Sequence, residues 1–185
     1  MVALSFRFLA GRYHATPWAA HVNEGLVEWP PSPWRVLRAL LAAGFSRLGW
    51  TQTPELAGSL VAKLATQPPR VFLPPAFAAH TRHYMPLFKE RTTKVLDTFA
   101  HVGDGELTLA WDVDLDASER ELLGAIAATL PYLGRAESWV ECRLRDDEPT
   151  SQACVAAEGP PGPGFERVSL LAPESPSAFA RWRED

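Results

Sequence analysis

"KVLDTFAHVGDGELTLAWDV", residues 94–113, is the stretch on which the fold turns. "KVLDTFAHV" and "ELTLAWDV" read as two strands, and the "GDG" between them is a hairpin signal. Two consecutive strands in mid-chain matter because of what flanks them. Downstream, Asp116 and Glu119 have the spacing of a capping box, with Asp where Ser or Thr is usual. The helix behind them carries Leu122, Leu123, Ile126 and Leu130 and ends near Pro131 to Gly134. "ESWVECRLR" is then a last strand, with Trp139, Glu141 and Arg143 alternating against Val140, Cys142 and Leu144.

Upstream, "PPRVFLPP" is a short strand bounded by prolines. "TPELAGSLVAKLAT" before it is a helix, capped by Thr53, started by Pro54 and striped by Leu56, Leu60, Val61 and Leu64. Pro30, Pro31 and Pro33 forbid regular structure until Ser32, an N-cap with Pro33 at the first helical position. The next helix, "WRVLRALLAAGFSRLG", sets Leu37, Leu40, Leu41, Phe45 and Leu48 at helical spacing, with Gly49 as its stop. Trp29 and Trp34 among those prolines read as framework residues. "ALSFRFLA" near the N-terminus alternates Leu4, Phe6 and Phe8 against Ser5, Arg7 and Leu9, a strand with one buried face. Without the extra helix and an insertion before the hairpin, the order is β-α-β-β-α-β. That is an α+β, ferredoxin-like or RNA-recognition-type domain over residues 1–145, followed by a loop-rich acidic tail over 146–185 that holds "GPPGPG". RNA-recognition domains stack bases on the open sheet of this arrangement, yet many proteins with it never touch RNA.

Composition bounds the function. A chain of 185 residues with 46% apolar content buries about 70% of its unfolded surface and needs no staples. No apolar run approaches the ~20 residues that span a bilayer, and Arg7 and Arg12 interrupt any export signal, so a cytoplasmic protein with no membrane partner is expected. Cys142 and Cys154 form no C-x-x-C pair, which points to a reduced, metal-free chain without a cofactor. The net charge is −4, but residues 1–100 hold eleven Lys+Arg against five Asp+Glu (+6), and residues 101–185 hold seven against seventeen (−10). Such asymmetry hints at a surface that faces a polyanion.

The densest basic stretch is "HTRHYMPLFKERTTK", residues 80–94. His80 and His83 are three apart with no cysteine near them in sequence, a poor start for a zinc site. Three readings remain open. One is an exposed mobile loop. One is a metal-independent ribonuclease with His83 as base beside Lys89 or Lys94. One is a clamp in which Arg82, Lys89, Arg91 and Lys94 hold phosphates while His83 and Tyr84 offer planes to bases. "GRYHATPW" repeats the mixture with Arg12, Tyr13, His14 and Trp18, which either pack a core edge or bind splayed nucleotides. Arg35 and Arg38, three apart, project together near a helix start, and Arg135 in "GRAESW" adds a further cation.

"RYHATPW", "HVNEG", "VEWPPSPWRVLRAL", "HTRHYMP" and "YLGRAESWVE" together resemble the Csb-two family of CRISPR-associated proteins, the Cas-five/Cas-six fusion subunits of type I-G (formerly I-U) Cascade. The resemblance runs from about Phe8 to Leu144 and covers the N-terminal, Cas-five-like part of that family; the tail then reads as a linker toward a missing Cas-six-like part. It implies a thumb-like insertion between the second and third strands, at about residues 75–94. It implies a non-catalytic antiviral-defence subunit that binds the five-prime handle of crRNA and caps the backbone filament. The implied partners are crRNA, a Cas-seven-like backbone subunit of the Csb-one type, a Cas-eight-like large subunit and target DNA near the PAM end. Arg12, Tyr13, His14, Trp18, Arg35, Arg38, Arg82, His83, Tyr84, Lys89, Arg91, Lys94 and Arg135 are the expected RNA contacts, with no catalytic residue and no metal. A metal-independent endoribonuclease acting on the repeat and a protein-binding scaffold are the alternatives.

Overall fold

The computed structural model describes residues 1–21, 24–87 and 91–184, with the backbone alone for 87, 91 and 182–184. Strand β1, Val2–Phe8, buries Val2, Leu4, Phe6 and Phe8 against the helices, as its alternation requires. Burying each large apolar side chain of this kind stabilises the fold by about 1.5–3 kcal/mol. The short β2, Arg12–Tyr13, comes next, and then helix α1, Pro33–Arg47. The Ser32 hydroxyl accepts from the Arg35 N–H at 3.3 Å and caps α1, with Pro33 at its first turn. The buried stripe of α1 is Val36, Leu37, Leu40, Ala43 and Gly44; Phe45, expected in that stripe, is exposed. The reason lies at Gly44, where a Cβ would come within 2.2 Å of the Trp50 ring, so the helix end is closed by Trp50 lying on glycine.

Helix α2, Glu55–Leu64, starts two residues after Thr53, with Pro54 rather than Thr53 at the cap position. Strands β3 (Arg70–Phe72), β4 (Phe77–Leu87), β5 (Arg91–His101) and β6 (Glu106–Trp111) come after it. Helix α3, Ala117–Thr129, opens on the expected capping box: Asp116 accepts from the Glu119 N–H and Glu119 accepts from the Asp116 N–H. Glu119 is buried, and it also accepts from Lys63 at 2.6 Å and Ser59 at 3.0 Å, which ties α2 to α3. Strand β7, Val140–Arg145, completes the core.

The main sheet has the order β3-β6-β1-β7 with every neighbour antiparallel. Counted along the βαββαβ core, that is second, third, first, fourth, the ferredoxin-like arrangement. The structure differs from the sequence reading at its opening stretch. β5 and β6 do not pair with each other. β6 takes the slot between β1 and β3, while β5 pairs over its full length with β4 and at its end with β2. The "GDG" turn is therefore a corner between two sheets. The Val102 and Gly103 N–H groups both donate to the Gly11 carbonyl, and Gly103 has φ of 61°.

The tail is tied back at separate points. Cys154 exchanges two backbone hydrogen bonds with Val71 on the β3 edge, at 2.7 and 2.9 Å, and the Leu171 carbonyl accepts from Trp34 N–H at 3.2 Å. Helix α4, Pro176–Glu184, lies beyond. No helix among the described residues is long and apolar enough to cross a membrane.

Candidate nucleic-acid interface

Residues 77–87 and 91–101 form a two-stranded ribbon, not a loop. Its eleven-residue strands extend about 36 Å, against six or seven residues in β1, β6 and β7. Thr92, Thr93, Val95, Thr98, Phe99 and Tyr84 favour the extended backbone. The register runs from Leu87↔Arg91 to Phe77↔His101, so directly opposed residues share a face. The insertion lies between the second and third core strands, as expected, and it continues past Lys94 to His101.

The first face carries His80, Arg82 and Tyr84 opposite Thr98, Leu96 and Lys94. His80, Arg82, Tyr84 and Lys94 are exposed, Tyr84 by 65%. The groove beside them is also lined by Glu24 and Gly25. Among the described residues, no carboxylate lies within 4.0 Å of the charged groups of Arg82 or Lys94, nor of Arg12 or Arg38. The open face of the core sheet, where an RNA-recognition domain would stack bases, is different. There Arg7 and Arg143 meet Glu141, Arg145 meets Glu106 and Asp147, and Arg70 meets Glu148. Of its aromatic side chains, Phe72 is buried, while Trp139, just before β7 at the parity of Glu141 and Arg143, is exposed. These pairings leave little free positive potential on that sheet.

The second face carries Thr81, His83 and Met85 opposite Asp97, Val95 and Thr93. His83 Nε2 lies 3.0 Å from Asp97 Oδ2, and Arg135 Nη1 lies 3.7 Å from Asp97 Oδ1. Arg135 reaches this face from the loop after α3, whose path depends on glycine. Gly134 has φ of 91°, and a Cβ there would fall 2.5 Å from the His14 carbonyl, which accepts from the Arg135 N–H at 2.8 Å. His14 is buried and its Nδ1 lies 2.7 Å from Glu137, which also faces Arg135 at 3.4 Å. Burial opposes the charge on Glu137, but its own backbone N–H, Arg135 and His14 together hold its carboxyl below the ordinary range.

The remaining expected contacts separate into three groups. Tyr13 is withdrawn from solvent entirely and packs between Phe8 and Trp29 at ring distances of 5.4 and 5.6 Å, so it is a core residue with no face for a base. Its hydroxyl pKa is pushed up, first by burial and then by Glu28. Arg35 and Arg38 do not act as a pair. Arg35 grips the buried Glu28 through two donors at 2.7 and 3.0 Å and donates to the Thr16 carbonyl, which makes it part of the framework. Arg38 lies over the Trp34 ring at 4.4 Å, and Trp34 meets the exposed Trp18 edge-on at 5.6 Å. Arg12 lies over the Phe99 ring at 5.6 Å, with its Nε buried and without a hydrogen-bond partner among the described residues. Lys89 lies outside the described residues, as does the Arg91 side chain.

Asp97, Glu28 and Glu137 escaped the sequence reading, which weighed cations and aromatics. No sequence signal marked Asp97, because the β4–β5 register that sets it opposite Thr81 is not legible from local rules. Among the described residues, no group of three or more His, Cys, Asp or Glu side chains could hold a metal ion. Cys142 and Cys154 are both free thiols, and burial pushes the Cys142 pKa up.

No family model and no curated protein matches the chain. Among solved structures, it is similar to a Cas6 protein of Thermus thermophilus, at 18% identity and a TM-score of 0.39, over 77% of this chain and 53% of that one. It is also similar to a Cas6 product complex, at 18% identity and a TM-score of 0.38, over 78% of this chain and 51% of that one. The chain thus spans about half the length of either Cas6 chain.

Proposed function

We propose that this chain is a non-catalytic RNA-binding subunit of a type I CRISPR effector complex and that the β4–β5 ribbon holds the single-stranded five-prime handle of crRNA. The observation that carries this reading is the contrast in charge. Arg82 and Lys94 stand exposed without carboxylate partners among the described residues, beside an exposed Tyr84, on an arm inserted into the core fold. Unpaired cations beside an aromatic plane suit phosphates and a splayed base. The Csb-two resemblance supplies the handle, the filament and the protein neighbours: a Cas-seven-like backbone subunit and a Cas-eight-like large subunit. Arg38 with Trp34 and Trp18, and Arg12 with Phe99, are further surfaces on which the strand rests.

One observation favours a second reading. His83 beside Asp97 at 3.0 Å is a histidine oriented by a carboxylate, the arrangement of a general base in metal-independent RNA cleavage. Labelled repeat RNA with EDTA-treated protein at micromolar concentration separates the two. Binding without cutting is expected; discrete cutting that disappears in His83→Ala supports the nuclease instead.

A further inference from the structure

We infer that the second face of the ribbon holds a base-reading slot for guanine, with Asp97 and Arg135 as its specificity-determining residues; this rests on the RNA-binding reading above. The observation to explain is an acid on an RNA-facing arm. Asp97 is partly exposed, and a carboxylate there repels phosphates. It can only accept hydrogen bonds, so its partners on RNA are the 2′-hydroxyl and the donor edge of a base, and of these only the base edge varies with sequence. Guanine alone presents two parallel donors, N1–H and N2–H, next to an acceptor, O6. A carboxylate takes the two donors together, and a neighbouring guanidinium takes O6. Uracil offers one imino group between two carbonyls, while adenine and cytosine set one amino group beside an acceptor nitrogen. None of these three matches a carboxylate in two places.

The geometry supplies the other half of that match. Arg135 Nη1 stands 3.7 Å from Asp97 Oδ1, too far for a closed hydrogen bond, so neither group is saturated by the other. Each is oriented by a different neighbour. His83 Nε2 lies 3.0 Å from the second oxygen of Asp97 and 3.0 Å from Thr81 Oγ1, while Arg135 has Glu137 at 3.4 Å from its Nε and His14 Nε2 at 3.4 Å from its Nη1. Val95 and Met85 line the same pocket and give the flat ring an apolar wall.

The test uses the full chain and a labelled short oligouridine, alone or with one central uridine replaced by guanosine, inosine or adenosine. The strand is free to slide, so any position reaches the slot. Wild type is expected to bind the guanosine strand about tenfold more tightly than oligouridine, and to lose most of that gain with inosine, which lacks the N2 amino group. Asp97→Asn is expected to lose the guanosine preference while binding oligouridine more tightly, because one negative charge has gone. Equal wild-type affinity for all four strands overturns the slot and leaves the RNA-binding reading standing. So does Asp97→Asn weakening every strand by one common factor, the signature of a strut. Failure of wild type to bind any strand overturns both readings.

Discussion

On the open face of the core sheet, Arg7, Arg70, Arg143 and Arg145 each meet a carboxylate; on the first face of the ribbon, Arg82 and Lys94 meet none among the described residues. The two surfaces carry the same kind of residue in strand positions. They differ in whether the positive charge is already neutralised. Exposed ion pairs contribute only about 0–1 kcal/mol each, so the core-sheet pairs do little for stability. Their larger effect is on potential, since Glu106, Glu141 and Glu148 would repel a phosphate chain laid across that sheet. A ferredoxin-like sheet is therefore not sufficient reason to place RNA on its open face, and here the inserted arm is the better surface.

The largest expected effect belongs to the framework. Arg35→Ala leaves Glu28 buried without its counter-charge, which costs about 3 kcal/mol of folding stability in urea denaturation. The variant should retain the RNA salt dependence of wild type in its folded fraction. Weaker RNA binding at full stability would move Arg35 from the framework to the interface. A smaller effect is expected on the arm. Tyr84→Ala should weaken RNA binding by about 2 kcal/mol while leaving both the melting temperature and the salt slope unchanged, because a stacked base is lost and no charge is.

The smallest effect is on the acid side of the stability curve. The hydrogen bond from Lys63 is the main cause that holds the Glu119 carboxyl below its ordinary range. The unfolded chain then takes up the proton first. The stability this group contributes is complete above the ordinary carboxylate value and is lost as pH falls through the depressed folded value. Glu119→Gln should therefore flatten the acid limb of a melting-temperature profile. An identical acid limb in both proteins would mean that Lys63 and Glu119 are not coupled in solution.

Much of the framework was legible in the sequence because it is set by local rules. Ser32 with Pro33 marked the start of α1, Asp116 with Glu119 marked α3, and alternation placed β1 and β7. What local rules could not settle was the partner of β5. Residues 94–102 precede a glycine-rich turn, which reads as a hairpin with residues 106–113. They pair instead with the 77–87 strand, whose described side chains are mostly exposed on both faces and so leave no apolar period to read. The cations of the candidate site were visible by composition, but their duties were not. Arg35 differs from Arg82 through Glu28, a partner seven residues away that the fold brings to it. Tyr13 likewise looked like a stacking residue until the packing of Phe8 and Trp29 enclosed it.

The most direct measurement is the slope of log binding constant against log salt for handle-length single-stranded RNA, taken on wild type and two double variants. Arg82→Ala with Lys94→Ala removes the unpaired charges, and Arg143→Ala with Arg145→Ala removes the same number of paired ones. The expected result is a slope shallower by about 1.4 in the ribbon variant, about 0.7 for each phosphate no longer neutralised, and a wild-type slope in the sheet variant. An unchanged slope in the ribbon variant, or an equal change in both, would contradict the placement of RNA on the ribbon.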